Sequence, residues 1–220
     1  MIKAIILDLD GLIIDSEPLW KEAEKAAFKR VGLDLTTKMC SQTTGLDTND
    51  VVKYWYNYQP WDTLSFDEMK SLIESNLVDL VRRDGKAMPG VNSVIKFAKN
   101  KNLPLAVASS SVTEIIHAVL KQLDIFEEFE VIYSSEREKQ GKPNPAVYLT
   151  TAEKLNVSPT ECLAFEDSFF GLLAAKSARC KAVIVPGKEE FDNPKLGFAD
   201  LKLKSLIEFS EDHFKLLSDM

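Results

Sequence analysis

Short apolar runs recur along the chain with helix-length patterns between them: Ala4 to Leu9, Leu103 to Ala108, Phe129 to Tyr133, Cys162 to Phe165 and Ala182 to Val185. Runs this short and this continuously apolar suit strands buried on both faces, and alternation with helices predicts β-α units around a parallel sheet. The fold class expected is therefore α/β, with a Rossmann-like parallel sheet as core. Each run gives way to polar or glycine-containing residues: Asp8-Leu-Asp10-Gly11, Ser109-Ser-Ser111, Gly141-Lys142-Pro143, Glu166-Asp167-Ser168 and Pro186-Gly187. Open α/β sheets bind ligands beyond the carboxyl ends of their strands, so chemistry is expected there.

The spacing of the runs is uneven. About ninety residues separate the first from the second, far more than the dozen or so that a crossover needs. Helical patterns over Leu19 to Val31, Asp47 to Tyr58 and Phe66 to Arg83 fill that gap. They predict an inserted α-helical cap domain over residues 16–87, hinged near Asp15 and near Lys86 to Gly90, with a core formed by residues 1–15 and 88–220.

Composition narrows the function classes. The 220 residues are 45% hydrophobic and 28% charged, as in ordinary globular proteins. A net charge of -7 argues against nucleic acid or anionic lipid as partner, since both demand clustered Lys and Arg. Three scattered cysteines (Cys40, Cys162, Cys180) and two histidines make neither a disulfide framework nor a zinc site. No stretch has the length of a membrane span, and MIKAIILDLDG lacks the features of a secretory leader, so a cytoplasmic location is expected.

Taken singly, the polar residues at the run ends are also what helix caps look like. Together they meet the requirements of phosphoryl transfer, in which the protein positions the group and neutralises charge. Asp8 suits the nucleophile and Asp10 the proton relay that serves the leaving oxygen and then the attacking water. Mg2+ takes oxygen ligands and few carboxylates, which Asp8, the main-chain carbonyl of Asp10, and Asp167 can supply. The Ser109 hydroxyl and the N–H of Ser110 can cradle phosphate oxygens. Lys142, in the stiff Gly-Lys-Pro-Asn-Pro segment, offers a fixed cation.

The residues Asp8-Leu-Asp-Gly-Leu-Ile-Ile-Asp-Ser16, Ser109, Lys142-Pro143 and Glu166-Asp-Ser-x-x-Gly171 resemble the four ordered motifs of the haloacid dehalogenase superfamily. The likeness spans essentially the whole chain. It implies Asp8 as nucleophile, Asp10 as acid/base, Ser109 and Lys142 on phosphate, Asp167 on Mg2+, and Glu166 as an additional or outer ligand. It also implies a helical cap after the first strand. Dehalogenases of the superfamily lack the second Asp, which disfavours dehalogenation. Leu12 stands where many relatives carry Thr or Val, a position that chiefly supports the loop.

The segments Asp-Ser-Glu-Pro-Leu-Trp20, Tyr-Asn-Tyr-Gln-Pro-Trp61 and Met-Pro-Gly-Val91 look like the branch of hexitol and 2-deoxyglucose-6-phosphate phosphatases. That resemblance implies a small phosphorylated sugar or polyol as substrate, and a monomer is expected. A β-phosphoglucomutase-like activity is the alternative. Thr48, Val112 and Trp20 stand where such mutases carry an arginine, a lysine and a histidine, and losing phosphate contacts favours hydrolysis. A phospho-Asp receiver switch also uses acidic strand ends, but the large insertion argues against it. Glu17, Trp20, Trp55, Gln59 and Trp61 are the expected selectors of the sugar.

Overall fold

The computed structural model describes all residues, 1–220. The chain forms two compact units: residues 1–14 with 87–220, and residues 15–86. No helix is long and apolar enough to cross a membrane.

In the first unit, β1 (Ala4–Leu7) is followed, after the insertion, by α5 (Val91–Asn100), β2 (Leu105–Ser109), α6 (Thr113–Gln122) and β3 (Val131–Ser134). Then come α7 (Ala146–Lys154), β4 (Cys162–Glu166), α8 (Phe169–Ser177), β5 (Lys181–Ile184), β6 (Leu201–Lys202) and α9 (Glu211–Asp219). The strands form one parallel sheet in the order β3-β2-β1-β4-β5-β6. This is the α/β fold expected from the apolar runs. The two-residue strand β6 was not foreseen, because it is too short to leave a pattern.

Alternation along the strands explains the layering. Ala4, Ala106, Ala108, Ala164 and Ala182 face one side with Ile6 and Ile184, in the same cluster as Val147, Tyr148 and Ala152 of α7 and Leu172, Ala174 and Ala175 of α8. Small strand residues let those helices approach closely, and the residues are buried completely or nearly so.

The order of strands places the site. β1 pairs with β2 at Ile5–Leu105 and with β4 at Ile5–Leu163. The chain builds outward on one side of β1 through β2 and β3, then returns to its other side with β4. The crevice at such a reversal is where ligands bind in open α/β sheets.

The second unit is all helical: α1 (Glu17–Lys29), α2 (Thr37–Cys40), α3 (Thr48–Tyr58) and α4 (Phe66–Asp84). In α4, Met69, Ile73, Leu77 and Val81 recur every fourth residue and are fully buried, which is the stripe that makes this helix amphipathic. A capping box starts it, with Ser65 Oγ accepting from the Glu68 N–H and the Ser65 N–H donating to Glu68 Oε2. The short α2, capped by Thr36, is an addition to the expected helices.

Three of the expected sugar selectors have work inside this unit. Trp55 is buried. The Trp61 indole N–H donates to the Leu64 carbonyl, and its ring packs on Phe28 and Tyr56. Gln59 Nε2 donates to the Gly32 carbonyl.

Candidate active site

The carboxyl ends of β1, β2 and β4, with the segment before α7, carry the polar residues picked out above. Asp8 immediately follows β1 and is anchored by its N–H donating to the Phe165 carbonyl at 3.0 Å. After it the chain turns sharply, with the Ile13 N–H donating to the Leu9 carbonyl and the Gly11 N–H to the Ile14 carbonyl. Gly11 sits at φ +75°, and a Cβ there would lie 2.2 Å from Asp167 Oδ2. The turn after β1 can therefore close on the end of β4 only through glycine.

Lys142 ties the pieces together. Its Nζ lies 2.6 Å from Asp8 Oδ1, 2.6 Å from Glu166 Oε1 and 3.0 Å from the Ala108 carbonyl oxygen. An ammonium has three N–H donors, so all are committed. The side chain is 7% exposed, and the Lys142-Pro143 peptide is cis.

Glu166 is fully buried at the end of β4. Its Oε1 also accepts from the Tyr148 hydroxyl at 2.5 Å, and its Oε2 accepts from Ser168 Oγ at 3.4 Å. Ser168 in turn caps α8 by accepting from the Gly171 N–H. A Cβ on Gly171 would fall 2.0 Å from Glu166 Oε2, so a glycine is required for this helix to start against the carboxylate.

Carboxylate oxygens of Asp8, Glu166 and Asp167 lie within 4.8 Å of one another. Burial, with Glu166 next and Asp10 a lesser contributor, pushes Asp8 up from 3.8 to about 7 against the pull of Lys142. Burial, and then Asp8 and Glu166, drives Asp167 well above the usual carboxylate range. For Lys142, burial favours the neutral amine, but Asp8 and Glu166 outweigh it and hold the ammonium above its ordinary value. Three carboxylates facing one ammonium leave an excess of negative charge that a divalent cation would balance. The donor set is all oxygen, which suits a hard ion. With both oxygens of Glu166 already accepting from protein donors, Asp8 and Asp167 are the carboxylates better suited to such an ion.

The serine loop lies beside this cluster. Ser109, at the end of β2, is 1% exposed, and its Oγ accepts from the Ser111 N–H at 3.0 Å. Ser110 is exposed between β2 and α6. Asp10 Oδ2 accepts from Ser111 Oγ at 2.6 Å. Ser134 Oγ, at the end of β3, donates to the Ser111 carbonyl at 2.7 Å.

Asp8, Lys142, Glu166 and Asp167 thus come together, while Asp10 and Ser109 stand on a second network through Ser111. Sequence reasoning missed Tyr148 and Ser134, and it placed Ser111 in the serine run without a role of its own. A tyrosine within the buried stripe of α7 needs a partner for its hydroxyl, and that need was the available signal for Tyr148.

The carboxylates gathered at this switch point, beside a lysine and a serine loop, could hold a metal ion. The chain belongs to the haloacid dehalogenase-like hydrolases, whose family profile matches residues 5–185. It is 37% identical over 210 residues to hexitol phosphatase B of Escherichia coli strain K12, covering 95% of each chain. Among solved structures it is similar to CbbY from Rhodobacter sphaeroides in complex with phosphate, with TM-score 0.83 and 27% identity over 94% of this chain and 96% of that one. It is also similar to β-phosphoglucomutase from Clostridium difficile, with TM-score 0.82 and 27% identity over 100% and 98% of the two chains.

Proposed function

We propose that the protein is a Mg2+-dependent phosphatase of small sugar or sugar-alcohol phosphates, working through an aspartyl-phosphate on Asp8. The observation that carries this reading is the 2.6 Å contact of Lys142 with Asp8, inside a carboxylate group able to hold a metal ion. The similarity to hexitol phosphatase B supports the substrate class.

In this reading Asp8, Asp167 and the Asp10 carbonyl hold Mg2+, which when bound supplies positive charge that offsets the phosphoryl oxygens and keeps Asp8 ionised. Ser109 and the Ser110 N–H bind phosphate oxygens, and Lys142 offsets their charge. An Asp8 oxygen attacks phosphorus, the bond from phosphorus to the alcohol oxygen breaks, and Asp10 gives that oxygen its proton. Water then attacks the phosphoryl group and loses a proton to Asp10, while the bond to Asp8 breaks and inorganic phosphate leaves. Residues 16–87 are assigned the role of a cap that selects the alcohol. Glu17, Trp20, Trp55, Gln59 and Trp61 are its candidates, of which Trp55 is buried and Glu17, Gln59 and Trp61 also bond within their own unit.

The similarity to β-phosphoglucomutase favours a second reading, a phosphosugar mutase. Val112, the apolar residue that leads from the serine loop into α6, weighs against it, since a second phosphate calls for a cation. Incubation with Mg2+ and a panel of hexose and hexitol phosphates separates the two. Release of inorganic phosphate supports hydrolysis, interconversion of glucose phosphates supports the mutase, and neither outcome would leave the phosphatase reading untenable.

A further inference from the structure

We propose that Ser111 is a positioning residue for Asp10, orienting the acid/base carboxylate through the hydrogen bond from Ser111 Oγ to Asp10 Oδ2. This rests on the reading of Asp10 as proton relay.

The geometry is specific. The contact is 2.6 Å long and joins residues 101 positions apart in the chain, so it depends on the assembled sheet rather than on a local turn. Ser111 is 8% exposed. Its backbone is held on both sides: the N–H donates to Ser109 Oγ at 3.0 Å, and the carbonyl accepts from Ser134 Oγ at 2.7 Å. Ser134 Oγ is itself fixed by accepting from the Glu136 N–H at 3.1 Å. The ends of β2 and β3 thus cooperate to aim one hydroxyl at one carboxylate oxygen.

Chemistry explains why a hydroxyl belongs here. Asp10 must carry a proton when the alcohol leaves and lack one when water attacks. A carboxylate needs a donor, whereas a carboxylic acid can use an acceptor, and a serine hydroxyl rotates to serve as either. A lysine or an amide N–H can only donate and so could not accept the proton that the acid form carries. Because Ser111 N–H reaches Ser109 Oγ, the same residue links the phosphate-binding hydroxyl to the proton relay. Proton transfer depends strongly on heavy-atom placement, and positioned general acids contribute roughly 10²- to 10⁴-fold.

The test compares two leaving groups in the Mg2+-loaded full chain. A sugar alcohol leaves only if protonated, whereas 4-nitrophenolate is stable as an anion and depends far less on an acid. The value of kcat/KM reports the steps up to phosphoryl transfer to Asp8. Ser111→Ala should lower kcat/KM on a hexitol phosphate about tenfold more than on 4-nitrophenyl phosphate. Ser111→Thr, which keeps the hydroxyl, should restore the ratio to within about threefold of wild type. Ser134→Ala, which loosens the support for Ser111, should shift the ratio in the same direction by a smaller factor.

Equal losses on both esters, or no loss on the hexitol ester, would overturn the role of Ser111. Should Ser111→Ala fail to fold in a thermal melt, the ratio in Ser134→Ala decides in its place, and an unchanged ratio there overturns the proposal. Wild-type protein that hydrolyses neither ester would instead refute the phosphatase reading itself.

Discussion

The Tyr148 hydroxyl donates to Glu166 Oε1 at 2.5 Å, inside the sheet-helix core and with both side chains fully buried. It shares that oxygen with Lys142, so a phenol holds the carboxylate that holds the buried lysine. Tyr148→Phe leaves the packing volume intact and removes one donor from a buried charge. The expected cost is about 1–3 kcal/mol of stability. A fall in kcat should accompany it, because Glu166, short of a donor, draws Lys142 away from Asp8. Thermal melting and steady-state kinetics check both, and an unaltered melt with full kcat would contradict the role.

Asp8→Asn should separate stability from activity. Turnover should vanish, since an amide cannot form the acyl phosphate that a carboxylate forms, and rapid-quench trapping of labelled phosphate should find no protein-bound label. Metal-free protein should melt higher than wild type by a few degrees, on the order of 1–2 kcal/mol of stability. The reason is that Asp8 stands at about 7 through burial and the neighbouring Glu166, so its ionised form is held at a cost. Added Mg2+ should stabilise wild type more than the variant. A lower metal-free melting temperature for the variant would contradict this account.

Gly171→Ala tests a conflict between helix propensity and contact. Alanine is a better helix former than glycine by about 1 kcal/mol. At this position its Cβ would meet the Glu166 carboxylate at 2.0 Å, and forced displacement in a packed core costs about 1–3 kcal/mol. Glu166 must move and take Lys142 with it, so the variant should lose both activity and stability. Chemical denaturation and phosphate release measure the two losses. A variant more stable than wild type with unchanged activity would refute the close approach.

Glu24 gives the helical unit a dependence on pH. The residue is 7% exposed on α1, and its Oε2 has no hydrogen-bond partner. Burial lifts its carboxyl from 4.5 to about 7, against smaller opposing effects from Cys40 and Lys21. The folded form therefore keeps a proton that the unfolded form loses above about pH 4.5. The associated stability is complete below that pH and is lost as pH rises through about 7. At about 1.4 kcal/mol per pH unit, the rise bounds the effect near 3 kcal/mol. Glu24→Gln should remove this slope, so the stability gap between variant and wild type widens from pH 5 to pH 8. Parallel profiles in urea denaturation would rule it out.

The strands were legible because burial on both faces demands unbroken apolar runs such as Ala4 to Leu9 and Cys162 to Phe165. Their ends were less so: β1 stops at Leu7, since Leu9 already belongs to the turn that Gly11 closes. Asp8, Glu166 and Asp167 could be picked out because a strand's carboxyl end marks a place in space, and Lys142 because prolines stiffen its segment ahead of α7. The direction of a side chain has no such marker. Asp10 and Asp167 read alike as acidic residues beside a strand end, yet one faces Ser111 and the other lies against Gly11. Tyr148 and Ser134 escaped notice because helix and strand periodicity tells which face a residue is on and not which atom it meets. Trp55 and Trp61 were expected to select the sugar, and the contacts that speak for packing, such as Trp61 with Phe28, are tertiary ones that a sequence does not display.

The position of β1 between β2 and β4 also bears on how the molecule is made. As the chain leaves the ribosome, the strand that becomes the middle of the sheet emerges well ahead of either neighbour, since Leu105 and Cys162 are still to be translated. Contacts so distant in sequence close slowly, whereas helices pack through nearby ones. Residues 15–86 are therefore expected to acquire structure during synthesis while Ala4–Leu7 waits unpaired, an interval in which that apolar tetrapeptide is the segment most in need of a chaperone.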